Sequence, residues 1–210
     1  TPDFPIPDRK AFHQTLHAWG DSKVRRKGVY AENVLRHMAV LHDLKFDTMP
    51  DTKAFAITVK CWAGSTHRQS LDHIIKLHEL HDQLADSGVD GIIRDEPFFL
   101  MHSIKALKNY SVPEQEELAS KWFDRLHAFV MNIDNKNPDG DVVIDLTGTY
   151  TGIIREYAKA RLKISPSKAK LVLQRLHEIK SSNECTANVD IQQNAYDLTL
   201  TCLRNSRRKD

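Results

Sequence analysis

The hexamer Pro7-Asp8-Arg9-Lys10-Ala11-Phe12 returns 43 residues later as Pro50-Asp51-Thr52-Lys53-Ala54-Phe55. The echo runs on at the same offset: Leu16 is answered by Val59, Trp19 by Trp62 and Ser22 by Ser65, in a chain with only three Trp. An internal repeat of this period marks an array in which each unit is one supersecondary piece stacked on its neighbours. That restricts the chain to repeat architectures before any single element is considered.

The repeated piece is a helical hairpin. Asp8 stands where an N-cap is needed, and Phe12, Leu16 and Trp19 fall at +4 and +3 on one helical face from Lys10 to about Gly20. A polar, basic turn leads to a second helix, Val29 to about Leu44, striped by Ala31, Val34, Leu35, Met38 and Leu41. In the second unit Asp51 caps, Phe55, Val59 and Trp62 form the first stripe, and Leu71, Ile74, Ile75, His78 and Leu80 the second. Ser87-Gly88 and Gly91 then end it. The third unit keeps Leu100, Ile104 and Leu107, and Pro113-Glu114 opens a helix with Ala119, Trp122, Phe123, Leu126 and Phe129. The fourth carries Tyr150, Ile154 and Tyr157, then a helix from Pro166 to about Ser181. Tyr196, Leu200, Leu203 and Ser206 close the chain at the same spacing. Second helices share a signature of their own: Ala31-x-x-Val34-Leu35-x-x-Met38 matches Ala119-x-x-Trp122-Phe123-x-x-Leu126 and Ala169-x-x-Val172-Leu173-x-x-Leu176. We expect one all-α helical-repeat domain over residues 1–210, with units near 7–49, 50–94, 95–144 and 145–190 and a half unit at 191–210. Asp134 to Asp141 reads as a surface loop, and Val142-Val143-Ile144 is the one β-like run, too short to build a sheet.

Composition sets limits on function. With 40% hydrophobic and 28% charged residues the chain is a globular protein, and 30 Lys+Arg against 28 Asp+Glu make any basic feature a local one. Cys61, Cys185 and Cys202 are odd in number and far apart, which favours a reducing compartment; Cys61 and Cys202 sit inside apolar patterns as buried small hydrophobes. No run of 18 apolar residues offers a membrane span. The chain opens on Thr1 rather than an initiator Met, so a mature form or a fragment is expected.

Laid out this way, the sequence resembles the pentatricopeptide repeat family. The resemblance rests on Pro-Asp before the first two units, the aromatic four residues after that Asp, and Ala18-Trp19 and Cys61-Trp62 in the first helices. Ala31-Glu32-x-x-Leu35-x-x-Met38 in the second helix adds to it. It is strongest over 7–65, weaker over 145–206 and weakest over 95–130. The units are longer than the family's common form, which leaves room for a divergent branch or a tetratricopeptide-type solenoid. The resemblance implies an α-solenoid of about four hairpins plus a terminal helix, first helices lining its concave face. It also implies binding of single-stranded RNA in mitochondria or plastids, one base per repeat. Its base-reading pairs fall here on His13 with Asp51, Ala56 with Glu96, Met101 with Leu146, and Thr151 with Gln192. Of these, Asp51 and Thr151 are of the types such readers use, and Ala56 and Met101 offer no base-edge hydrogen bonds. Lys10 and Lys53 hold the position that usually sandwiches a base.

A basic column stands beside the resemblance. Five residues after each anchor come His17, Lys60, Lys105 and Arg155, then Thr201. Stacked units would bring such residues to one face, suiting phosphate tracking or an acidic partner. Little else in the sequence points to chemistry. His13/His17 and His78/His81 lack a third ligand at metal spacing, so solvated or partly buried histidines are expected. Asn135-x-Asn137-x-Asp139-Gly140 lacks the Glu of a calcium loop, and no nucleophile or phosphate-loop motif appears. Trp19, Trp62 and Tyr157 read as core. The expectation is a non-enzymatic binding module without cofactor or metal, taking single-stranded RNA with weak base discrimination. The alternative is a protein scaffold in an organellar assembly such as a ribosome, and a third reading places a catalytic domain outside this chain.

Overall fold

The computed structural model describes residues 7–106, 113–131, 146–160, 165–181 and 191–206. Among them run nine helices and no strand: α1 Arg9–Asp21, α2 Lys27–Asp43, α3 Thr52–Ala63, α4 Ser70–Asp86, α5 Pro97–Ala106, α6 Pro113–Met131, α7 Leu146–Ala160, α8 Ser165–Ser181 and α9 Gln193–Ser206. The fold is all-α and built of repeated helical hairpins. It divides into two compact units, Thr1–Ala106 and Leu107–Asp210. Asp134 to Asp141, Val142 to Ile144, Leu107 and Cys185 lie outside the described residues.

Capping sets where each first helix begins. The Asp8 carboxylate accepts from the Ala11 N–H at 2.7 Å and Asp51 from the Ala54 N–H at 2.9 Å, so the duplicated Pro-Asp is a duplicated N-cap. Glu96 does the same for α5, accepting from the Phe99 N–H at 2.7 Å. It stands four residues before Leu100, as Asp8 does before Phe12 and Asp51 before Phe55. The third unit thus keeps the cap while losing both the Asp and the aromatic.

In the first unit α1 packs on α3 and α3 on α5, while α2 packs across α1 and α3 and α4 across α3 and α5. The first helices run parallel: His13 meets Asp51 near one end and Lys60 meets Asp21 near the other. The second unit repeats the scheme, with α7 against α8 and α9, α8 against α9, and α6 against α8. The anchors Phe12, Phe55, Leu100 and Tyr150 are buried, as are Ala31, Leu35, Met38, Ala119, Trp122, Phe123, Leu126, Ala169, Val172 and Leu176 of the second-helix signature. α4 carries the signature in disguise, as buried Ser70, Ile74 and Leu77, and its Leu80 is exposed.

Glu32 of α2 fastens three successive helices. One carboxylate oxygen accepts from Trp62 Nε1 at 3.0 Å and His73 Nδ1 at 2.8 Å, and the other from Arg36 at 2.6 Å. The Trp62 ring stacks on His73 with centroids 4.1 Å apart and presses on Gly28, where a Cβ would stand 2.3 Å from Trp62 Cδ2. Only a glycine lets α2 approach that ring so closely.

Three expectations need correction. Trp19, read as core like Trp62, is half-buried and stacked on the exposed Tyr30, because α1 is the outermost first helix described and has a neighbour on one side alone. His78 and His81 are buried, where solvated or partly buried rings were expected. His78 Nε2 bonds Ser103, His81 Nε2 bonds Thr52, and both rings pack against Phe99, which gives the Nε2 edge of each ring a partner inside an aromatic layer. On α9 the buried residues are Ala195, Thr199 and Cys202, with Leu200 60% and Leu203 42% exposed. The terminal stripe is one residue earlier than the Tyr196–Leu200–Leu203 spacing, since small residues give α9 its close seat on α7, where Cys202 Sγ lies 4.0 Å from the Ile154 carbonyl.

Candidate functional site

Helical spacing puts Lys53, Ala56, Ile57 and Lys60 on one face of α3, at i, i+3, i+4 and i+7. α1 and α5 flank that face, and the chain between α4 and α5 folds over its N-terminal end. The Thr52 N–H donates to the Gly91 carbonyl at 3.0 Å, and the Thr52 hydroxyl accepts from the Ile93 N–H at 2.6 Å. Gly88 and Gly91 take φ of +67° and +77° in this turn, backbone that glycine adopts without strain. The result is a cavity of about 510 Å³, floored by Ala56 and Ile57 and walled by Ile93, Phe98, His17 and His102. Ile93 and Phe98 stay 55% and 51% exposed beside it.

Charged groups are spread along the cavity in the direction of the helix axes, with Lys53 in the first turn of α3. Asp51 and Glu96 lie at the N-terminal end, both bound to backbone N–H groups, and Asp51 also meets His13 Nε2 at 2.9 Å. Lys60 lies about 14 Å from Asp51 along α3, at 1.5 Å per residue, and His17 stands on α1 midway between His13, which meets Asp51, and Asp21, which meets Lys60. Lys60 reaches Asp21 at 3.0 Å. Partial burial, then the charges of Lys53 and Lys60, hold the His17 imidazole below its ordinary value. Burial, then Lys105 and Lys60, push His102 down to about 4, so this ring is neutral at physiological pH. Burial pushes the Glu96 carboxyl up, against the pull of the Phe99 and Phe98 N–H groups.

Of the residues singled out in the sequence, His17, Asp51 and Lys60 line this one cavity, and His13 is bonded to Asp51 beside it. Ala56 and Glu96, the pair the resemblance assigns to base reading, line it too. Lys105, half-buried on α5, acts on His102 together with Lys60. Arg155 is exposed on α7 in the second unit. Thr151, also on α7, is 5% exposed with a buried hydroxyl that has no hydrogen-bond partner, so within its unit it packs rather than presents a polar group. Sequence reading passed over Phe98, Ile93 and His102. Phe98 had a signal: it precedes its anchor Leu100 by two residues, as Lys10 precedes Phe12 and Lys53 precedes Phe55. Ile93 and His102 had none, because only the folded turn and the α3–α5 packing bring them here.

Among the described residues no group of three or more His, Cys, Asp or Glu stands close enough to hold a metal ion, and no helix is long and apolar enough to cross a membrane. Cys61 and Cys202 are buried, and burial pushes both thiols up to about 11, well away from the range of reactive thiolates. No family model, no curated protein and no solved structure matches the chain.

Proposed function

We propose that this protein binds single-stranded RNA on the first-helix face of its N-terminal unit, in the mitochondrial or plastid setting that the resemblance implies. One observation carries the reading: Lys53 and Lys60 of α3 line one cavity together with the half-exposed Phe98 ring of the adjacent α5. Cations along a face with an aromatic among them suit a strand held by its phosphates with a base stacked on the ring. Base choice is weak in this reading. Asp51 and Glu96 are committed as helix caps, and Ala56 has no polar atom to present.

The test is titration of a labelled oligouridylate and an oligoadenylate of equal length at several salt concentrations. The wild type binds both with similar affinity. The double variant Lys53→Gln, Lys60→Gln keeps its helical circular dichroism, loses affinity for both strands alike, and loses about 0.7 of salt slope per phosphate contact removed. An unchanged slope and affinity would refute the assignment of this face. A second reading, a scaffold for a protein partner, draws on the same commitment of Asp51 and Glu96 together with exposed Ile93 and Phe98. It is the one left standing if neither strand binds at low salt.

A further inference from the structure

The cavity has properties that a track for a strand does not require. At about 510 Å³ it falls within the range of roughly 300–1,000 Å³ typical of small-molecule sites. Its middle is apolar and its polar groups gather at the two ends. The protein builds one wall from its own chain, pinned by Thr52 to Gly91 and Ile93. A wall held in this way forms the cavity before any ligand arrives, which lowers the ordering cost of binding.

We infer that the cavity between α1, α3 and α5 is a binding site for a small amphipathic organic anion. Its flat apolar body lies over Ala56, Ile57 and Phe98, and its acidic group faces Lys60 and His17. Charge complementarity chooses the anion. At the N-terminal end the two carboxylates already accept backbone N–H groups, and Asp51 also holds His13. At the other end the acid facing Lys60 is Asp21, itself 74% exposed, and an exposed pair of this kind yields to a competing anion at little cost. Burial is the first cause that holds His17 and His102 down, and the charges of Lys53, Lys60 and Lys105 add to it, so positive charge reaches the place where the acidic group would sit. This inference goes beyond strand binding, since the ligand needs no sugar–phosphate chain.

Anilinonaphthalene sulfonate carries an aromatic body with one anionic group, and phenylnaphthylamine is its neutral counterpart. Fluorescence titration of the whole chain should give one saturable sulfonate site, preferred over the neutral probe by about tenfold. Lys60→Met should erase most of that preference while leaving the neutral probe unaffected. Ala56→Trp should fill the cavity and abolish binding of both. Should that variant fail to fold, Phe98→Ala with Ile93→Ala, at exposed positions, performs the same subtraction. On binding, the His17 imidazole, which faces Lys53, Lys60, Asp21 and His13, should titrate at higher pH by proton NMR. Absence of a saturable site, equal affinity for the two probes, or binding indifferent to the folded cavity variants would each overturn the inference. No RNA is present in this titration, so its failure and the failure of the strand-binding reading are separate events.

Discussion

Trp62→Ala is expected to lower the unfolding free energy by about 3–5 kcal/mol, the range for removing a large buried aromatic. The ring has 0% exposure, stacks on His73, meets His67 edge-on at 5.7 Å and supplies one of the donors to Glu32. Its loss opens a void at the meeting of α2, α3 and α4 and takes a hydrogen bond from a carboxylate whose side chain is 13% exposed. Trp19→Ala, at the equivalent repeat position, removes a half-exposed ring whose main aromatic contact is Tyr30 at 4.6 Å. A stacked pair of this kind adds about 0.5–1.5 kcal/mol beyond its buried area, so the Trp19 loss should be clearly the smaller. Urea denaturation of the two variants side by side checks this. Equal losses would mean that the two hairpins bury their tryptophans alike, contrary to the packing described.

Gly28→Ala should also destabilise strongly, although alanine is the better helix former by about 1 kcal/mol. The new Cβ would stand 2.3 Å from Trp62 Cδ2, 2.4 Å from Cε3 and 2.8 Å from Cγ. The ring cannot swing away while His73 and Glu32 hold it, so α2 must lift, at an overpacking cost of about 1–3 kcal/mol or more. The two sites are therefore coupled. In a Trp62→Leu background the same Gly28→Ala change meets a smaller side chain and should be neutral or stabilising. A double-mutant cycle reads the coupling directly; additive losses would show that the ring and the glycine are not in steric contact.

The hairpin array was legible because hydrophobic spacing and capping are local. Phe12, Phe55, Leu100 and Tyr150 fall where a helical stripe requires, and Asp8 and Asp51 cap from their own sequence positions. Stripes alone did not fix which face meets a neighbour. On α9 two faces compete, Ala195–Thr199–Cys202 and Tyr196–Leu200–Leu203, and hydrophobicity favours the second while close packing selects the first. Periodicity likewise assigned Trp19 to the core without registering that α1 has fewer neighbours than α3. His17 and Lys60 emerged as recurring positions, and the repeat offset is enough to bring them to adjacent helices. The cavity did not emerge, because its wall comes from the turn between α4 and α5. Thr52, a plain residue of the repeated hexamer in which its counterpart is Arg9, pins that turn through contacts 39 and 41 residues away. Nor did the seat of Trp62 on Gly28, where a glycine in a helix reads simply as a weak helix former.

Glu32 changes how the first unit comes apart. Stacked hairpins behave nearly as a one-dimensional chain of neighbours, and such chains fray from their ends one repeat at a time. A carboxylate on α2 that is bonded to both α3 and α4 puts a single lock across two consecutive hairpins. Opening either hairpin breaks the same junction, so the two should melt as one cooperative block rather than in sequence. Native-state amide hydrogen exchange would display this as a common opening free energy for α2, α3 and α4, divided into separate values by Glu32→Leu.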